Sequence, residues 1–154
     1  PVRTIAEMAE LKLKLQEFNI KIAADESVRK VSDPLAVAQA NAADILVLKV
    51  APLGGINNAL HIAKEAGLPV VVSSALESAV GINYGLTLAA SFPEMNFDCG
   101  LGTGSLLSAD VASLPIVNGE IKITEVEPDF NGIEVAPDRY EWWKNRVMKT
   151  AELL

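Results

Sequence analysis

The chain has 154 residues, half of them hydrophobic but only 5% aromatic, and 13 Lys and Arg stand against 20 Asp and Glu for a formal net charge of −7. That length carries one ordinary domain with a real core, and a core of Ala, Val, Ile and Leu suits an α/β protein whose parallel sheet is buried on both faces. The acidity argues against nucleic acid or an anionic membrane surface as a partner, the apolar runs fall well short of the ~20 residues of a membrane span, and one cysteine, Cys99, allows no intramolecular disulfide, so a reducing cytoplasm is expected.

The chain begins with Pro1 and shows no secretory leader, which reads as a processed product or a piece of something longer. Thr4-Ile5-Ala6-Glu7 has capping-box spacing, and Ile5, Met8, Leu11 and Leu15 follow at helical intervals, which predicts a first helix. "IKIAAD" (20–25) reads as a strand. Asp33-Pro34 opens a second helix, with proline suited to its first turn. "ILVLKV" (45–50) is the next strand. Gly54-Gly55 precedes a third helix with the apolar face Ile56, Leu60 and Ala63, which closes at Gly67. "PVVVSS" (69–74) is a third strand. Ser74-Ala75-Leu76-Glu77 has capping-box spacing again and predicts a helix from there to about Ser91, followed by a fourth strand, "FDCGLG" (97–102), in which Cys99 is expected to be buried.

Alternating helices and strands mean βαβ units and a parallel sheet. The polar residues ending three strands, Asp25, Lys49 and Ser73, are 24 positions apart each time. So regular a βα unit favours a partial (β/α) TIM-type barrel of about four units over a doubly wound sheet. A full barrel takes eight strands and about 250 residues. Four strands leave raw edges, which are normally covered. The chain is therefore a fragment lacking the N-terminal half of its barrel, or two copies associate, or the sheet is open. Residues 1–109 are assigned to the C-terminal half of the barrel. Residues 110–154 form a C-terminal extension packing on the barrel or a capping domain, with a hairpin at Asn118-Gly119, a second Asn131-Gly132 turn and a helix from Pro137. Trp142 and Trp143 are read as packing residues of that extension.

Parallel sheets bind ligands at the carboxyl ends of their strands, and strand side chains alternate between faces. If Lys49 faces into the barrel, Asp25 and Ser73 take the matching places beside it, and a carboxylate, an ammonium and a hydroxyl line one rim. Taken singly, Lys49 could snorkel from the strand end, Asp25 could cap the following turn, and Ser74 could be a helix cap; their common step favours the rim. Glu26 should face away. His61 reads as a surface residue in mid-helix. The glycine-rich "GLGTG" (100–104) would suit backbone N–H donors closing on a carboxylate or phosphate.

Together "IAADES", "DILVLKVAPLGG", "PVVVSSALESAVG" and "CGLGT" resemble the C-terminal half of an enolase-superfamily barrel, most closely the actinobacterial type of the o-succinylbenzoate synthase family of menaquinone biosynthesis. The likeness runs through about residue 110. It implies Mg²⁺, or another divalent cation such as Mn²⁺, held by three carboxylates on successive strands, the third matching Asp25. It implies that Lys49 matches the lysine facing a Lys-x-Lys pair, one of which removes the proton α to a carboxylate. Lys49 would then stabilise the anionic intermediate while hydroxide leaves and the ring aromatises. Ser73, Ser74, Gly100 and Gly102 resemble positions that meet the carboxylate or succinyl end of a small-molecule substrate. The Lys-x-Lys pair, the first two metal carboxylates and the capping domain are not in the chain, and Pro1 resembles the proline that follows the second of those carboxylates. The chain alone is therefore expected to be inactive, as one carboxylate does not make an octahedral Mg²⁺ site. The same half-site would serve an N-acylamino-acid racemase, a dipeptide epimerase or a muconate-type cycloisomerase. The readings outside this class are a non-catalytic half-barrel binding module and a flavodoxin-like sheet binding a phosphate-bearing cofactor such as FMN.

Overall fold

The computed structural model describes residues 2–153, so Pro1 and its likeness to a family proline lie outside the described residues. In chain order the elements are α1 (Ile5–Leu15), β1 (Ala23–Ala24), α2 (Asp33–Gln39), β2 (Ile45–Leu48), α3 (Ile56–Ala66), β3 (Val70–Val72), α4 (Ala79–Ala90), β4 (Ile116–Val117), β5 (Glu120–Ile121) and α5 (Pro137–Ala151).

The first three strands form one parallel sheet in the order β1-β2-β3. Its residues alternate as a pleat requires. Ala24, Leu46, Leu48, Val70 and Val72 are buried, and they join Met8, Val37, Leu53, Ile62, Ile82 and Leu88 in one core. On the other face Ala23, Val47 and Val71 remain at least partly open to solvent, while Ile45, at the start of β2, is buried. Each large side chain buried here contributes about 1.5–3 kcal/mol relative to exposure; β1 itself is two alanines, placed beside β2 by the pairing of Ala23 with Ile45 and Ala24 with Leu46 and by the bond from Ile22 N–H to Asp44 Oδ2.

Local chemistry sets the helix ends. The Thr4 capping box forms: Glu7 N–H donates to Thr4 Oγ1 at 3.1 Å, and Thr4 N–H donates to Glu7 Oε2 at 3.0 Å. Gly67 ends α3 with φ +65°, and Asn118-Gly119, with φ +53° and +84°, makes the β4–β5 hairpin turn. Lys12 is four residues beyond Met8 and so shares its inner face. Its ammonium donates to Asn41 Oδ1 (2.8 Å) and Ala43 O (2.9 Å) and pairs with Asp44 Oδ1 (3.2 Å), while Asp44 Oδ2 accepts the Ile22 N–H at 2.8 Å. This network ties α1 to the starts of β1 and β2.

Four expectations are corrected. The fourth strand over 97–102 reduces to a parallel bridge between Ser73 and Gly100, in which Gly100 N–H donates to Val72 O and Ser74 N–H donates to Gly100 O. Gly100 lets the chains approach, since a Cβ there would lie 2.9 Å from Ser73 Oγ, but glycine extends a strand poorly. Helix α4 starts at Ala79 with Ser78 as its N-cap, not at Ser74, because Leu76 takes a left-handed backbone (φ +68°) and the Glu77 carboxylate accepts the Ala75 N–H instead of completing a capping box. Cys99 is exposed, as expected of a segment that never becomes a covered strand. Trp142 and Trp143 are 45% and 49% exposed, and α5 has no buried residue. The two rings meet edge to face at 4.7 Å with the Arg139 guanidinium 4.6 Å from Trp142, so they pack on their own helix. Among the described residues, no helix is long and apolar enough to cross a membrane.

Candidate active site

Asp25 follows β1, Lys49 follows β2 and Ser73 follows β3, so all three stand at carboxyl ends of parallel strands. Pairing of Ala23 with Ile45 and of Val47 with Val71 puts their odd-numbered positions on the same face. Lys49 lies one residue beyond buried Leu48, and its side chain is only 13% exposed. The ammonium does not snorkel to solvent. Lys49 Nζ donates to Asp25 Oδ1 in direct ion-pair contact, and Asp25 makes no side-chain cap to the turn that follows it. A charge so far removed from water requires such a partner.

The pair lies in the wall of a cavity of about 420 Å³, along with Ser74, Glu26, Arg29 and Leu76. Glu26, expected to face away, lines this same cavity instead, because the turn after Asp25 keeps it beside the strand end; it pairs with Arg29 at 3.7 Å, both side chains largely exposed. The remaining expected site residues are placed differently. Ser73 shares the face of Lys49, but its hydroxyl donates to Gly100 O at 3.2 Å and it does not line this cavity. Ser74 is buried, donates to the same carbonyl at 3.0 Å and meets Thr103 Oγ1 at 2.7 Å. The Gly100 N–H is committed to Val72 O. Gly102 belongs to a separate cavity of about 390 Å³ near the hairpin, whose single carboxylate, Asp110, is occupied in accepting the Ala79 N–H at 2.8 Å. Thr103 and Leu76 were not singled out as site residues from the sequence; Thr103 lies inside "GLGTG", and nothing in the local pattern marks Leu76.

Asp25 carries the one carboxylate in contact with Lys49, and among the described residues no group of three or more His, Cys, Asp or Glu side chains could hold a metal ion. An acceptor already engaged by an ammonium is a poor start for a divalent cation. The donor set of this chain alone does not fit Mg²⁺. His61 is an exposed helix residue, with Nε2 3.2 Å from Glu65 Oε1. On the far side of the sheet, burial raises the pKa of Asp44, but the Ile22 N–H and the Lys12 ammonium outweigh it and hold the carboxyl below its usual value.

Compared with known proteins, the chain is 51% identical over 158 aligned positions to proteins named o-succinylbenzoate synthase from Mycobacterium tuberculosis and Mycobacterium bovis, and 50% identical over 159 to that of Mycobacterium leprae. All of this chain is covered, but only 46–48% of those relatives, so the chain spans about half the length of the curated relatives it matches. Its fold matches the muconate lactonizing enzyme of Pseudomonas fluorescens with a TM-score of 0.68 at 22% identity, over 90% of this chain and 38% of that one. It also matches the L-Ala-D/L-Glu epimerase of Bacillus subtilis with a TM-score of 0.60 at 28% identity, over 74% of this chain and 32% of that one. The family model described as Enolase C-terminal domain-like matches residues 1–139. An α/β sheet with charged groups at its strand ends and a family match through most of the length place the chain in the enolase C-terminal domain-like family.

Proposed function

We propose that this chain is the C-terminal part of an o-succinylbenzoate synthase, which dehydrates a succinyl-hydroxycyclohexadiene carboxylate to an aromatic product. Residues 1–109 are read as about four βα units of a (β/α) barrel and 110–154 as an extension that packs on the barrel or on a capping domain. The observation that carries the reading is the Asp25–Lys49 ion pair, set at adjoining strand ends in the wall of a cavity, in a chain half identical to proteins of that name.

Lys49 is assigned the electrostatic role. Loss of the proton α to a carboxylate loads negative charge onto that carboxylate, and an ammonium fixed nearby in a poorly hydrated site lowers the barrier without reorganising. Asp25 holds that ammonium in place. Ser73, Ser74 and the Gly100–Gly102 segment are assigned to the substrate's carboxylate or succinyl end. If Mg²⁺ takes part, Asp25 would be one of its ligands and the others would come from outside this chain, since the chain's own donors do not suffice.

The test is turnover by the full-length protein with the cyclohexadiene substrate, followed as loss of diene absorbance. The expected result is formation of the aromatic product. A protein that only racemises N-acylamino acids or dipeptides would favour the second reading, an epimerase, which the 28% identity to the Bacillus subtilis enzyme supports.

A further inference from the structure

Among the described residues, four positions other than glycine have a left-handed backbone: Asn19, Asn41, Asn118 and Leu76. Asparagine tolerates this conformation because its short polar side chain bonds locally; leucine has no such compensation, and glycine would fit without strain. Leu76 is nonetheless placed at the cavity that holds Asp25 and Lys49, with its side chain 54% exposed. Leu76 is not among the core residues of this chain or the hydrophobics packed against them, so core packing within the chain does not account for a leucine in this backbone.

The turn around it is pinned from both sides. Ser74 is buried and bonded to Gly100 O and Thr103 Oγ1. Glu77 Oε2 accepts the Ala75 N–H at 2.6 Å, and the Glu77 stem lies so close over α4 that a Cβ on Gly81 would come within 2.4 Å of it. Leu76 is thus held on a pinned turn in the lining of a cavity whose other walls are Asp25, Glu26, Arg29, Lys49 and Ser74, with Pro52 and Ala75 as the other apolar groups.

On the synthase reading, we infer that Leu76 is a specificity-determining residue, the apolar wall against which the cyclohexadiene ring is seated over Lys49. The ammonium meets the charged end of the substrate, and the unsubstituted diene carbons of the ring, which cannot hydrogen-bond, need hydrocarbon beside them. The left-handed backbone at 76 is the strain accepted to present that hydrocarbon.

Full-length Leu76→Gly, Leu76→Asn and Leu76→Met separate the possibilities. Glycine removes side chain and strain together, asparagine keeps the size and tolerates the backbone but is polar, and methionine restores an apolar group. The expected result is a KM raised about tenfold for Gly and Asn, kcat within about twofold, KM near wild type for Met, and a melting temperature for Gly equal to or above wild type. An unchanged KM in Leu76→Asn overturns the inference, as does a melting temperature for Leu76→Gly lowered as in a core truncation. Wild-type protein without dehydratase turnover refutes the synthase reading itself; active wild type with indifferent variants refutes only the role of Leu76.

Discussion

Lys49 and Asp25 are 24 positions apart in the chain and in direct contact in space, yet they are not level in the sheet. The β1–β2 pairing joins Ala23 to Ile45 and Ala24 to Leu46, so continuing it puts Asp25 level with Val47. The lysine side chain reaches back one pleat to meet the carboxylate. Lys49→Met in the full-length protein is expected to lower kcat/KM by about 10²–10³-fold, the usual loss when a preorganised stabilising charge is removed. It should also cost about 1–2 kcal/mol in urea unfolding, less than for a fully buried pair because Asp25 keeps some contact with water. Full turnover in Lys49→Met would remove the lysine from the chemistry.

The lack of a convergent donor cluster among the described residues makes a separate prediction. In calorimetric titration with Mg²⁺ or Mn²⁺, the 154-residue chain should show no specific heat at sub-millimolar metal and no turnover of the cyclohexadiene substrate, while the full-length protein shows both. Turnover by the chain alone would mean that its own residues suffice.

The Lys12–Asp44 network makes a prediction for acid. The Ile22 N–H and the Lys12 ammonium hold the folded carboxyl of Asp44 below the ordinary aspartate range, so the stability it contributes is fully present above the unfolded pKa and is lost as pH falls through the lower, folded one. Asp44→Asn should therefore lose stability at pH 7 and show a flatter decline between about pH 5 and pH 2 than wild type. Lys12→Met leaves Asn41 Oδ1, Ala43 O and Asp44 without the ammonium and should cost about 2–4 kcal/mol at neutral pH. Parallel acid limbs for wild type and Asp44→Asn would contradict the assignment.

Gly100→Ala tests the last link of the sheet. The added Cβ would lie 2.9 Å from Ser73 Oγ and 3.8 Å from Ser73 Cα. The hydroxyl can turn away, but only by giving up its bond to Gly100 O. The expected cost is about 1–3 kcal/mol, read by thermal melting.

Much of the fold was legible because it rests on periodicity and punctuation. Met8 and Leu11, the Thr4 capping box, Pro34, Gly67 and Asn118-Gly119 each act within a few residues, and each does locally what its spacing predicts. Segments governed by distant groups were harder to read. Ser74-to-Glu77 carries a capping pattern, but the hydroxyl of Ser74 is taken by Gly100 and Thr103, from more than twenty residues away, and the helix starts later. The even step between Asp25, Lys49 and Ser73 located three strand ends without revealing their levels: β2 and β3 pair with an offset of 24 positions and β1 and β2 with 22, so Lys49 continues level with Ser73 but one pleat above Asp25. Nothing near Lys12 in the sequence marks it as buried, because its partners, Asn41, Ala43 and Asp44, follow some thirty residues later.

The carbonyl oxygen of Gly100 receives the Ser74 N–H and both serine hydroxyls. As folded, those two hydroxyls have no proton to spare, so toward an incoming molecule they present lone pairs. For a substrate carboxylate to be bonded at this rim, a hydroxyl must turn its proton from that oxygen toward the anion. Occupancy of the rim is thereby coupled to the tightness of the seam between residues 74 and 100, and an anion held there should alter amide exchange at Ser74, whose N–H rests on that oxygen.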